Sequence, residues 1–309
     1  MTNATAKPHP WNRDFHWSNH RTVAGGLSRE QVSQFDKDGY TVIEGLLDAE
    51  ELAQTVRIID EMEAGSEALL RTQPGDRLSI SEAGAITFTT HLVTRSQWLR
   101  NLSAHPRVLD ICRDLVGPDV RLYWDQAVYK KPEKPRRFPW HQDNGYTFVE
   151  PQEYLTIWIA LTDAILANGC PQVATGLHRL GTLRHYYVDP LGFECLSDHP
   201  GAAVAEVKAG GAVVFSSLTP HLTGPNTTDA VRKAYILQYV PTEARVLRGD
   251  PRREPEKRLA CDAPGRQYEV LREGQPVAPP AFVAVGANSV IEYGPDAQSG
   301  PKEGDSWPT

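Results

Sequence analysis

At 309 residues, with 40% hydrophobic content and a mean hydropathy of −0.43, the chain has ample apolar material for a soluble core. Its net charge of −7 argues against nucleic acid as the main partner, and no apolar run approaches the ~18 residues that a membrane span needs. The four cysteines, Cys112, Cys170, Cys195 and Cys261, are scattered without a CxxC pair, so free thiols and a cytoplasmic location are expected.

Residues 1–26 read as a polar N-terminal extension without an apolar signal core. Up to Val120 the chain reads helix-rich. Asp48 and the early acids Glu50 and Glu51 open a helix, and Leu52, Val56, Ile59 and Met62 give it an apolar stripe. From Val120 onward strands dominate, expected at 121–130, 155–162, 204–207, 212–216 and 231–239 between loops rich in Pro and Gly. This is the pattern of a mainly β chain with flanking helices around a double-stranded β-helix, a cupin-like jelly roll. Lys130 to Arg137 form a basic run that either anchors an anionic group or is a solvated loop. Residues 183–202, carrying Arg184, His185, Tyr186 and Tyr187, lack a clear period and suit either a lid or an ordinary surface loop. A single domain over 27–285 and a flexible tail over 286–309 complete the expected organisation.

The chemistry concentrates in Trp140-His141-Gln142-Asp143. On a strand, His141 and Asp143 project from one face while Gln142 points away. With a distant His221 they make two imidazoles and one carboxylate, which leave open positions on an octahedral ion for a bidentate co-substrate and O₂. A zinc hydrolase could use the same donors. Arg232 favours iron, because a guanidinium on so apolar a run as 231–240 is costly unless it meets a carboxylate, which a planar fork suits bidentately.

From Leu27 to about Pro241 the chain resembles the phytanoyl-CoA dioxygenase family of iron(II)- and 2-oxoglutarate-dependent oxygenases. The resemblance runs in order through several blocks: Leu27 to Val32 with Asp38 to Ile43, His105 to Asp110, Leu115 to Val120, Trp140 to Asp143, Trp158 to Leu161, and His221 to Asn226 with Arg232 to Ala234. It implies His141, Asp143 and His221 as iron ligands, Arg232 for the distal carboxylate of 2-oxoglutarate with Thr223 assisting, Trp158 lining that pocket, and Gln126 as a polar co-substrate contact unless the register aims Asp125 inward instead. It further implies that 2-oxoglutarate and O₂ yield succinate and CO₂ while an unactivated C–H bond of a small organic substrate is hydroxylated, with desaturation, ring closure or epoxidation as other outcomes of the same chemistry. His178 is expected to be structural. The segment Thr175 to Gly181 departs from the family's usual Pro-Gly-Ser-His pattern, which blocks transfer of substrate identity and suggests a small secondary metabolite. The competing readings are a cupin-like hydrolase or isomerase and an inactive binding protein of the same fold; the sequence does not address oligomeric state.

Overall fold

The computed structural model describes residues 6–20 and 25–281. Helices begin where the sequence supplies caps. Helix α1 (Arg29–Asp38) starts at Ser28, whose hydroxyl accepts from the Gln31 amide while the Gln31 side chain bonds back to Ser28, and it stops at Gly39 with φ 85°. Helix α2 (Ala49–Leu70) starts at Asp48 with a second such reciprocal cap through Glu51. Helix α3 is Gln97–Leu102; α4 (Pro106–Leu115) is capped by the His105 ring and has Pro106 at its first turn.

Among the described residues the β structure forms four sheets, of ten, four, three and two strands, and the two largest face each other. The larger has ten strands, among them β1 (Tyr40–Ile43) at one edge, β2 (Ile86–Thr90), β3 (Val120–Lys130), β5 (Leu155–Ala160), β8 (Ala212–Ser216) and β10 (Arg232–Pro241). The smaller has four: β4 (Phe138–His141), β6 (Pro171–Val173), β7 (Ala203–Val204) and β9 (His221–Thr223). The spatial orders are β1-β8-β5-β10-β3-β2 and β7-β6-β9-β4, with antiparallel pairing throughout. Alternation then sorts the side chains of the large sheet. Ala127, Tyr129, Ile157, Ile159, Tyr235 and Leu237 face a core shared with all four helices. Val128, Trp158, Ala160, Ala234 and Ile236 face the other way, onto Phe138 and Val173 of the small sheet. Helices, large sheet and small sheet therefore stack as three layers, and the expected jelly roll forms with its helices on one side.

The strands at 121–130, 212–216 and 231–239 lie where the sequence placed them, within two residues. Strand β5 stops at Ala160 instead of 162 because the Thr162 hydroxyl, in place of a ladder carbonyl, accepts from the Lys233 amide. At 203–207 only Ala203–Val204 is strand, and Val207 makes an isolated bridge to Ala164. The connector at 183–202 holds a hairpin of Tyr186–Val188 against Gly192–Glu194. The segment ahead of the expected domain start at Leu27 belongs to the packed body: Trp11 is buried, and backbone bonds tie His9 to Thr182 and Arg184 to Lys7. The expected flexible tail lies outside the described residues. The four cysteines are free and buried, and no helix among the described residues is long and apolar enough to cross a membrane.

Candidate metal and co-substrate site

Strands β4 and β9 pair so that His141 and His221 are direct partners across the small sheet, their rings 4.2 Å apart. Strand β4 ends at His141; Gln142 stays extended, and Asp143 opens a 3-10 turn to Gly145. The expectation of one strand through Asp143 is corrected in this detail, yet the extended Gln142 keeps His141 and Asp143 on one side. Gln142 points away, donating its side-chain amide to the carbonyls of Gly181 and Leu218 and accepting from the Leu183 amide. One donor atom from each of His141, Asp143 and His221 lies within 4.8 Å of the other two, a spacing that one ion can bridge.

The surroundings prepare these donors for a cation. A carbonyl can only accept, so the contacts of 2.9 Å from His141 Nδ1 to Pro139 O and from His221 Nδ1 to Thr219 O fix the proton on Nδ1 in both rings. Each Nε2 then carries a free lone pair, which is the tautomer a metal requires. Burial, reinforced by His221, holds His141 well below the usual histidine range and keeps it neutral. Thr156 of β5 donates to Asp143 Oδ2 at 2.5 Å, leaving Oδ1 on the side of His141, 3.9 Å from its Nε2. Gln238 in turn donates to the Thr156 hydroxyl at 3.4 Å. The backbone amide of Gln142, between His141 and Asp143, donates to His185 Nε2 at 2.9 Å, and His185 Nδ1 donates to Leu183 O. This donor set fits a single divalent ion with hydrogen-bonded outer partners.

The large sheet presents the rest of the site as cross-strand rows on its inner face. Thr156, Gln238 and Trp124 form one row, Trp158, Ile236 and Gln126 the next, then Ala160, Ala234 and Val128, with Arg232 beside Lys130 last. Gln126 is therefore on the site face. Asp125 turns to the helix layer, where it accepts from the Val93 amide and the Tyr235 hydroxyl. Arg232 is 1% exposed; its Nη1 reaches Val128 O at 3.4 Å, but Nε and Nη2 are buried without a partner. Its guanidinium lies 5.0 Å from the Trp158 ring, and burial pulls it down to about 9, still cationic at neutral pH. A buried cation with unmet donors fits a carboxylate guest, because leaving such donors unpaired is costly. Thr223 is buried on β9, two residues beyond His221, and its carbonyl accepts from Lys130 Nζ at 2.9 Å.

Several residues of this neighbourhood were not expected from sequence. Thr156 and Gln238 are neutral polar residues at inward positions of apolar strands, and that placement is the signal that could have found them. Lys130 sits at the end of β3, 1% exposed, with three backbone carbonyls around its ammonium, and does not belong to a loop. The rest of the basic run is ion-paired, Lys131 with Glu63, Lys134 with Asp76 and Glu82, Arg136 with Glu82 and Arg137 with Glu194, while its middle, Glu133 to Pro135, is exposed as a solvated loop would be. In the hairpin, Arg184 covers the exposed Tyr186 on the outside, whereas His185 and Tyr187 turn inward. Tyr187 meets Phe193, Phe193 meets Tyr146, and Tyr146 lies edge-on to His141 at 5.5 Å. His178 is structural as expected, its Nε2 bonded to Asp36 O and its ring against Trp17.

A jelly roll holding a His-Asp-His cluster on one sheet and an unpaired buried arginine on the other is the arrangement of an iron(II)- and 2-oxoglutarate-dependent dioxygenase. Residues 35–234 match the family model described as phytanoyl-CoA dioxygenase. Over 241 residues the chain is 27% identical to an ectoine dioxygenase of Bordetella parapertussis, covering 70% of this chain and 76% of that protein. It is 26% identical to phytanoyl-CoA dioxygenase domain-containing protein 1 of Danio rerio over 268 residues, covering 71% and 92%. Its fold matches that of the non-heme alpha-ketoglutarate-dependent carbocyclase SnoK from nogalamycin biosynthesis with a TM-score of 0.62 at 24% identity, covering 77% of this chain and 95% of that one. The chain belongs to the phytanoyl-CoA dioxygenase family, and it is a dioxygenase that uses iron, 2-oxoglutarate and O₂ on a small-molecule substrate.

Proposed function

We propose that His141, Asp143 and His221 hold the iron(II), that Arg232 binds the distal carboxylate of 2-oxoglutarate, and that the enzyme hydroxylates an unactivated C–H bond of a small secondary metabolite. The observation that carries this reading is Arg232, with two buried donors unmet on the inner face shared with Trp158. Trp158 would brace the guanidinium through its ring, Thr223 would lie alongside, and Gln126 would contact the co-substrate from the neighbouring row. Bound iron supplies the activation of O₂ that oxidises both co-substrate and substrate. The chain's part is placement: the Nδ1 bonds of His141 and His221 aim both Nε2 atoms, and Thr156 holds the Asp143 carboxylate. Because that carboxylate takes a ligand position, a halide has none, which favours hydroxylation over halogenation.

A hydrolase or isomerase with the same three donors has no use for a buried arginine awaiting a carboxylate, and an inactive binding protein has no need of an intact triad. Succinate release with and without Fe(II) tests the proposal. Iron-dependent succinate is expected; an iron-independent reaction of another class would replace the reading.

A further inference from the structure

Asp143 reaches the site from a short 3-10 turn, so its place depends on what holds its neighbours. Gln142 Nε2 donates to Gly181 O at 3.0 Å and its Oε1 accepts from the Leu183 amide at 2.6 Å, while Asn144 Nδ2 donates to the Thr182 hydroxyl at 2.6 Å. Both flanks of Asp143 are therefore bonded to residues 181–183. That segment lies in no strand, and among the described residues its β pairing is the isolated bridge of Leu183 to Pro8.

What holds this segment from outside is a strap formed by residues 7–12. The His9 amide donates to Thr182 O at 2.8 Å and the Arg184 amide to Lys7 O at 2.7 Å. Asn12 Nδ2 donates to Leu180 O at 2.7 Å and to Thr182 O at 3.0 Å. Asn12 Oδ1 accepts from Gln152 Nε2 at 3.1 Å, and Gln152 Oε1 accepts from the Thr182 amide at 2.9 Å, which closes a ring of Asn12, Gln152 and Thr182. Thr182 is 0% exposed, with its amide and carbonyl bonded within this ring and its hydroxyl to Asn144. Gly181, at φ 71°, passes so close to Asn12 that a Cβ there would lie 2.5 Å from Asn12 Oδ1. Trp11 anchors the strap, its indole donating to Arg253 O at 2.7 Å and its ring edge-on to Phe148. Asn12 sets the register, because buried carbonyls left without donors are costly. The strap lies ahead of residues 35–234, which match the family model. We infer that residues 7–12 are a positioning element of the metal centre, in which Asn12, through Thr182 and Asn144, holds the Asp143 turn where its carboxylate meets His141 and His221. The inference rests on the proposed assignment of Asp143 to iron.

The test uses the full chain, with Fe(II) affinity measured by chelator competition under nitrogen and ligand geometry by the visible absorption of Co(II) placed in the same site. Asn12→Ala and the near-isosteric Asn12→Asp, which sets a carboxylate against two carbonyls, should each weaken Fe(II) by about threefold to tenfold, at or below the lower end for outer partners of a metal ligand. Both should also alter the Co(II) spectrum. Ile59→Val removes a buried methylene from α2 in the helix layer, so it should lower the melting temperature and leave both readouts as in the parent. Linkage also works in reverse: metal loading of the parent should slow hydrogen exchange at the His9 and Arg184 amides, where strap and connector are bonded to each other. Parent-like affinity and spectrum in both Asn12 variants, or a change that Ile59→Val reproduces, overturns the inference. Exchange at His9 and Arg184 that ignores the metal overturns it without any variant. Parent-like Fe(II) binding by Asp143→Ala instead overturns the ligand assignment and takes this inference with it.

Discussion

Asp143 depends on a neutral neighbour. With Oδ2 held by Thr156, the carboxylate is oriented before any ion arrives, so Thr156→Val should weaken iron(II) by about tenfold, the lower end of the effect of losing an outer hydrogen bond to a ligand. Competition with a chromogenic chelator measures this, and an unchanged affinity would make Thr156 mere packing. Asp143→Ala should remove iron binding outright while leaving the melting temperature near that of the parent, since the residue belongs to none of the apolar clusters of the core. At the other end, Arg232→Lys keeps the charge and loses the fork, so 2-oxoglutarate affinity should fall by roughly 1.5 to 3 kcal/mol, with Thr223→Val doing less. Titration of 2-oxoglutarate into iron-loaded variants checks the ranking. His141, His221 and Arg232 were legible in the sequence because each is a charged or metal-binding side chain at a position where an apolar strand offers it no other partner. Thr156 and Gln238 were not, since a hydroxyl or amide within a strand reads as ordinary surface until the register is known. Lys130 was masked by the cations that follow it.

The turn carrying Asp143 is backed by the connector that precedes the hairpin. A Cβ on Gly145 would come within 2.0 Å of His185 Cε1, and His185 is the acceptor for the amide between His141 and Asp143. Gly145→Ala should therefore push His185 off Gln142 and lower iron affinity by about tenfold or more, with a fall in melting temperature typical of overpacking, about 1 to 3 kcal/mol in stability. Chelator competition and thermal denaturation read the two effects, and a variant matching the parent in both would remove His185 from the account. The hairpin itself reaches the site through Phe193 and Tyr146, so Phe193→Ala should lower the ratio of product to succinate once a substrate is in hand, because the reacting carbon is held less firmly. Strands β3, β8 and β10 were readable from apolar and β-branched content, and α2 from its cap and stripe. The hairpin strands, three residues each, are too short to show a period, and the packing of Trp11 and His9 against the body depends on partners about 140 to 240 residues away, as in Trp11 Nε1 to Arg253 O and the Gln152 amide to Asn12 Oδ1.

Across the whole molecule, burial holds His91, His178 and His185 at about 4 and His9 at about 3, each against 6.5 in the unfolded chain. Between those values the unfolded chain binds more protons than the native one, so stability falls as pH drops from about 6.5 toward 4. Asp125, raised by burial to about 6 from 3.8, and Glu153, also raised by burial, work the opposite way over part of the same window, but they are two groups against four. Metal-free protein should thus lose a few kcal/mol between pH 7 and pH 5, since each tenfold difference in proton affinity between the two states is worth ~1.4 kcal/mol. Urea midpoints at the two values measure it, and equal midpoints would contradict the buried neutral histidines. The layering that buries them was readable as a class, helices followed by strands, whereas the division of the facing strands between a ten-stranded and a four-stranded sheet was not, because it is set by which strands pair across long separations. The central claim joins the small sheet's triad to the large sheet's arginine in one reaction. It is tested most directly by succinate formation from 2-oxoglutarate in air, measured with and without added Fe(II), for the parent protein and Asp143→Ala. The account predicts iron-dependent succinate from the parent and none from the folded variant; no succinate from the iron-loaded parent, or equal succinate from both, would contradict it.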